Sequence, residues 1–214
     1  MVNYSSILLN IDRLKTLVNL ALLDGDHVAM YDSLTTLASK IIDAPVSLLS
    51  IVDANRQYFK SYVGLPEPWK SRRSTPLSHS FCQHVVATNR PLIVPDAREN
   101  DLVKDNLAIP DLNVIGYLGI PLTLEDGKSL GSFCVLDGQP RDWTQADIGI
   151  VQEFAQIITS EFNLRVAIEQ RKKTKTDLAN LHQKIRELVE SLDPSVSKEA
   201  FLEDLRAARV EYGV

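Results

Sequence analysis

The sequence predicts an α+β fold in which helices flank antiparallel hairpins, and three observations carry the prediction. The first 42 residues repeat apolar side chains at helical spacing, residues 117–137 read as a hairpin with two unlike faces, and residues 157–192 keep a heptad register.

Taken in order, Ile7, Ile11, Leu14, Val18 and Ala21 recur at spacings of four and three and write a stripe on a first helix ending near Asp24-Gly25. Met30, Leu34, Leu37 and Ile41 repeat the pattern on a second helix, which stops before Ala44-Pro45 because the residue ahead of proline resists the helical region. Residues 46–52 and 58–63 are short apolar runs separated by Asp53-Ala54-Asn55-Arg56 and predict a hairpin. Residues 67–76, rich in proline, arginine and serine, have no period and predict a loop. Residues 77–88 predict a helix with Leu77, Phe81, Val85 and Cys82 on one side. Leu92-Ile93-Val94 is a short strand, Asp96 after Pro95 can cap the turn that follows, and the irregular polar stretch 97–113 is a candidate lid.

The segment 117–137 reads YLGIPLTLEDGKSLGSFCVLD. A tight turn at Asp126-Gly127 sets Glu125 opposite Lys128. Counting back from it pairs Leu122 with Gly131, Ile120 with Phe133 and Leu118 with Val135 on a large apolar face suited to packing on a core. The other face carries Pro121 with Ser132, Gly119 with Cys134 and Tyr117 with Leu136, a smaller set that leaves a hollow for a ligand. A slip of one residue would exchange the two faces.

Thr144 can cap a helix starting at Gln145, with Asp147 in its first turn. Ile157, Leu164, Leu178, Ile185 and Leu192 share one heptad position, and Ala167, Leu181 and Leu188 share its companion, with Arg171 and Thr174 interrupting the seam. So long a stripe exceeds what one small domain can cover, and it predicts a coiled-coil homodimer with Leu164, Leu178, Leu181, Ile185, Leu188 and Leu192 in the seam. Asp193-Pro194 ends the heptads, and Ser197 can cap a last helix carrying Ala200, Phe201, Leu205 and Val210. The expected organisation is an amphipathic helix over 1–26, a compact α+β domain over 27–163, a coiled-coil helix over 164–192 and a short helix over 193–214.

A net charge of −5 and a pI near 5.4, with no basic stripe interleaved with aromatics, argue against nucleic-acid binding. Neither a signal-peptide pattern nor a membrane-length apolar run is present, so the expectation is a cytoplasmic protein. Cys82 and Cys134 sit far apart among apolar neighbours and read as small buried hydrophobes. His79 and His84, five apart, lack the convergence of a tetrahedral metal site, so no metal is expected. Asp96 and Asp137 each end a strand, where an aspartate most often serves loop N–H groups.

Three phrases in this order resemble the GAF domain, and most closely the GAF sensor domains of bacterial histidine-kinase-type signalling proteins. They are SFCQH at 80–84, LIVPDA at 92–97, and the pair YLGIPL and GSFCVLD in the hairpin, and the likeness spans roughly residues 28–163. The resemblance implies a central antiparallel sheet of five to six strands, with helices on one face and a ligand cavity on the other. It implies a pocket lined by Phe81, Cys82, Asp96, Tyr117, Gly119 and Cys134.

Members resembling cyclic-nucleotide phosphodiesterases carry an Asn-Lys after the last strand and then Phe-x-x-x-Asp-Glu. This chain has Asp137-Gly138 and then Trp143, Asp147 and Ile148, which argues against that ligand. Bilin-binding relatives attach through a Cys-His pair, whereas Cys82 precedes Gln83 and Cys134 precedes Val135. Relatives that reduce free methionine sulfoxide use a cluster of pocket cysteines, of which two are available here. The expected function is non-catalytic sensing of an unidentified small molecule, with regulation of an unidentified signalling partner. The alternatives are an interaction scaffold with a filled pocket and a thiol-based reductase. No sequence feature names a ligand or cofactor.

Overall fold

The computed structural model describes residues 4–191 together with Glu203, Arg206 and Ala207. Leu192 and the helix expected over 193–214, including Ser197, Ala200, Phe201, Leu205 and Val210, lie outside the described residues. The chain divides into two compact units, Met1–Val166 and Ala167–Val214.

The first unit opens with two helices where the apolar stripe predicts one, α1 (Tyr4–Leu8) and α2 (Ile11–Asn19). The break falls at Asn10, whose side chain accepts the Arg13 backbone N–H at 2.9 Å and restarts the helix. The stripe is also only partly turned inward: Leu14 packs against the core, but its neighbours on the stripe do not. Ile11 and Val18 are 66% and 71% exposed, while Leu17 is fully covered and Arg13 is buried. The same holds for α3 (Ala29–Ile42), which buries Tyr31, Thr35, Ala38 and Ile42, packs Leu34 against the core and exposes Met30, Leu37 and Ile41. The physical reason is that Arg13, Tyr31 and Thr35 are polar residues satisfied inside, so periodicity counted on apolar residues alone centres the stripe off the buried side. Arg13 donates to the carbonyls of Leu8 and Val52, both at 2.6 Å, and Thr35 meets the Ser61 hydroxyl at 2.8 Å. Asp43, in the left-handed region, closes α3 ahead of Ala44-Pro45.

β1 (Val46–Val52) and β2 (Arg56–Val63) form the first hairpin. The stretch expected as a loop instead holds α4 (Trp69–Arg72) and a short edge strand, β3 (Ser74–Pro76), paired with Arg56 to Tyr58. Pro76 fits there because an edge strand leaves its missing donor on the open side. The helix expected over 77–88 is split into a 3-10 turn, Leu77–His79, and α5 (Cys82–Thr88), with Ser80 extended between them. β4 (Leu92–Val94) follows, then a run of turns containing α6 (Ala108–Leu112).

β5 (Gly116–Thr123) and β6 (Ser129–Asp137) make the second hairpin, and α7 (Gln145–Ser191) ends the described chain. Every pair counted from the sequence between Tyr117–Leu136 and Leu122–Gly131 is present. Only the turn differs. The register shifts between Leu122 and Thr123, and the Leu124 N–H, not that of Glu125, closes onto the Lys128 carbonyl, so a three-residue loop with Gly127 at φ +84° replaces the two-residue turn.

The strands form one antiparallel six-stranded sheet in the order β3-β2-β1-β6-β5-β4. On its back face Leu118, Ile120, Leu122, Phe133 and Val135 pack with α2, α3 and the first part of α7, where Val151, Phe154, Ala155, Ile158 and Phe162 are buried. A second core covers the front face, built from Leu48, Val52 and Phe59 of the sheet with Phe81, Cys82, Val85 and Val86 around α5. Within the second unit α7 continues to Ser191, with Leu178, Leu181, Ile185 and Leu188 exposed.

Candidate functional site

The front face is where the sequence places a hollow, and the alternation of β5 and β6 does direct Tyr117, Gly119, Ser132 and Cys134 there. Glycine at 119 is what lets the Tyr117 ring fold flat across its own strand, since a side chain there would collide with it. Phe81 lies against that ring with centroids 5.3 Å apart. Tyr117, Phe81, Cys82 and Cys134 are therefore all buried, and the small-residue face is filled by the aromatic residue of its own strand. What remains is a void of about 40 Å3 touching Phe81, Cys82, Tyr117, Gln57, His79 and Asn113.

Beneath the void two sulfurs meet. α5 starts at Cys82 and β6 carries Cys134, and their Sγ atoms lie 3.8 Å apart. The Tyr117 hydroxyl sits 3.3 Å from Cys82 Sγ and 3.5 Å from the Ser132 hydroxyl. Ser50, across the ladder from Ser132, is fully buried, and its hydroxyl has no conventional hydrogen-bond partner. Burial pushes the Cys82 thiol up, but the polar groups around the sulfur, Cys134 and Tyr117 foremost, outweigh it and hold the thiol below its ordinary value. Burial pushes Cys134 well up, and it pushes Tyr117 up too, with the neighbouring sulfurs adding to the shift. Cys82 is thus the more acidic sulfur and the one that lines the void.

Of the sequence-selected pocket residues, Phe81, Cys82, Tyr117, Gly119 and Cys134 come together here. Asp96 does not join them. Its carboxylate is held by Arg98, with oxygens 2.9 Å from Nε and 2.5 Å from Nη2, and this pairing keeps it below the usual carboxylate range. Sequence reasoning missed Gln57, His79 and Asn113. Gln57 alternates with Phe59 onto the front face of β2 and accepts from the Ser80 hydroxyl, a position that period-two reading of β2 could have found. Asn113 adopts φ +54° at the end of α6, and His79 reaches Asp111 at 2.9 Å, neither of which has a local sequence signal. Among the described residues no group of three or more His, Cys, Asp or Glu side chains is arranged to hold a metal. No helix among them is long and apolar enough to cross a membrane.

A family model described as the GAF domain matches residues 20–162. A cyclic di-GMP phosphodiesterase of Pseudomonas aeruginosa is 28% identical over 146 residues, a match covering 67% of this chain and 24% of that protein. This chain thus spans about a quarter of that relative's length. Among solved structures, a domain assigned to a two-component sensor histidine kinase of Sinorhizobium meliloti 1021 superposes with a TM-score of 0.53 at 16% identity, over 67% of this chain and 96% of that one. The blue-light-absorbing form of the Thermosynechococcus elongatus PixJ GAF domain does so with a TM-score of 0.53 at 17% identity, over 82% and 98%. These two likenesses extend to the fold.

Proposed function

This chain belongs to the GAF domain family of signalling and sensor modules, and from that premise we propose that it is a non-catalytic small-molecule-sensing domain that dimerises through α7 and acts on a partner protein. The observation that carries the reading is the division of labour along α7. Residues from Val151 to Phe162 close the back-face core, while Leu178, Leu181, Ile185 and Leu188 present an apolar heptad seam to solvent. A helix with that exposed stripe gains by pairing with a second copy of itself, and Thr174 in the seam sets register at some expense of stability. The likeness to a segment of a cyclic di-GMP phosphodiesterase supports a partner that turns over a second messenger, while catalysis would reside in that partner.

Light scattering tests the dimer. The chain is expected to elute as a dimer, and Leu181→Glu with Ile185→Glu is expected to give a monomer with unchanged near-ultraviolet circular dichroism. A monomeric parent chain overturns the reading.

A second reading, an interaction scaffold whose cavity is closed, is favoured by the Tyr117 ring over Gly119. A void of about 40 Å3 is far below the roughly 300–1,000 Å3 of a typical small-molecule site. A nucleotide-sized ligand would enter only if Tyr117 swung out, and binding would then select that rearranged state. Native mass spectrometry separates the two, since a retained small molecule supports sensing and a ligand-free dimer supports the scaffold.

A further inference from the structure

We propose that Cys82 and Cys134 are a peroxide-responsive thiol pair, which closes to an intrachain disulfide joining α5 to β6 and withdraws the sulfur that meets the Tyr117 hydroxyl. Four observations meet at this point. The sulfurs are 3.8 Å apart, within reach of the roughly 2.05 Å of a disulfide by rotation of two short side chains. Cys82 lines the void while Cys134 lies behind it, so an oxidant arriving through the void meets Cys82 first. The Tyr117 hydroxyl meets the Cys82 sulfur at 3.3 Å and favours the thiolate that attacks peroxide. The chain holds two cysteines in all, so an intrachain bridge has one possible connectivity.

The steps balance. The Cys82 thiolate attacks one peroxide oxygen; an S–O bond forms, the O–O bond breaks, and the departing hydroxide takes a proton to become water, leaving Cys82 as sulfenic acid. Cys134 then attacks the Cys82 sulfur; the S–S bond forms, the S–O bond breaks, and the hydroxyl leaves as water with the Cys134 proton. In sum, two thiols lose two electrons and one hydrogen peroxide becomes two waters. A void of about 40 Å3 admits a molecule the size of water or hydrogen peroxide and excludes a peptide disulfide, so the chemical class of the signal is a small peroxide. Once the bridge forms, Cys82 no longer offers a thiolate to the Tyr117 hydroxyl, which keeps Ser132 at 3.5 Å. The redox state thereby reaches the ring that fills the front face.

The experiment uses the full chain, reduced, freed of reductant and exposed to hydrogen peroxide while folded, then alkylated and weighed. Labelled thiols are expected to fall from two per chain to none, with a Cys82–Cys134 crosslinked peptide from one chain and full recovery on reduction. In Cys134→Ser the reaction is expected to stop at a dimedone-trappable sulfenic acid on Cys82, and in Cys82→Ser Cys134 is expected to stay unmodified. Two surviving thiols in the folded parent chain, bridges formed only between chains, or trapping on Cys134 in place of Cys82 would each overturn the proposal. If the serine variants do not fold, the parent chain's thiol count and crosslink map decide alone. The dimer measured with both thiols reduced is independent of this outcome, so failure here leaves the reading of α7 standing.

Discussion

The Tyr117 ring lies so close over Gly119 that a methyl group at Gly119 would stand 2.2 Å from the tyrosine hydroxyl oxygen. Because the ring is also packed against Phe81 and Cys82, it cannot yield without leaving the front core. Gly119→Ala is therefore expected to destabilise the domain by about 1–3 kcal/mol through overpacking. Tyr117→Ala removes the ring itself and is expected to lose about 3–5 kcal/mol while enlarging the void enough to take a small aromatic molecule such as phenol. Urea unfolding measures both losses and thermal shift detects the acquired binding. An unchanged midpoint for Gly119→Ala would mean that the ring is not held where it is found.

Much of this relationship was legible in the sequence. Alternation along residues 117–122 and 131–136 assigns every side chain of the hairpin to its face, because a strand has a period of two and the register follows from one turn. It could not tell a hollow face from one filled by its own tyrosine. That depends on which way a long side chain leans along the strand, and on the helix that descends on it from elsewhere in the chain. The two leading helices failed for a related reason. Tyr31, Thr35 and Arg13 are core residues whose polar atoms find partners as far as 130 positions away, and local periodicity counts them as surface. Met30, Leu37 and Ile41 were then counted as core although they are exposed.

Arg13 tests that explanation. Its guanidinium accounts for the Leu8 and Val52 carbonyls, and with them ties the end of α1 to the end of β1. Arg13→Met keeps the aliphatic length but leaves buried carbonyls without donors, an expected loss of about 1.5–3 kcal/mol in urea unfolding. A neutral or stabilising result would show that water reaches those carbonyls and that the buried arginine is dispensable.

A pH dependence follows from His84. Its Nδ1 meets the Tyr4 hydroxyl at 3.0 Å, the rings cross edge-on at 5.3 Å, and burial holds the imidazole below its ordinary pKa. The unfolded chain then binds that proton at a higher pH than the folded one does. The contribution is fully present above about pH 6.5 and is lost as pH falls through the depressed folded value. Unfolding free energies measured at steps from pH 7.5 to 5 are expected to fall in the parent chain and to stay flatter in His84→Phe, which keeps a ring but cannot titrate. Equal slopes would assign the dependence to other groups.

Tyr31 and Glu161 supply the test of how α3 grips α7 inside the first unit. The Tyr31 hydroxyl donates to the Glu161 carboxylate at 2.6 Å, the ring packs edge-on against Phe162 at 6.2 Å, and Arg165 both pairs with Glu161 and lies over the same ring at 5.9 Å. Burial and the Glu161 carboxylate both push the tyrosine pKa up, so across the working pH range the hydroxyl remains a donor. Tyr31→Phe removes the donor and keeps the ring contacts; Glu161→Gln removes the charge that makes the acceptor strong. Since the two groups touch, their effects on unfolding free energy are expected to be non-additive, with a coupling of about 0.5–3 kcal/mol in a double-mutant cycle. A coupling that survives high salt is the hydrogen bond, whereas one that weakens with salt is the partly exposed Arg165 ion pair acting through Glu161. If the two losses simply add, the helices are held by Phe162 and its apolar neighbours alone, and the polar pair contributes nothing to the attachment of α7.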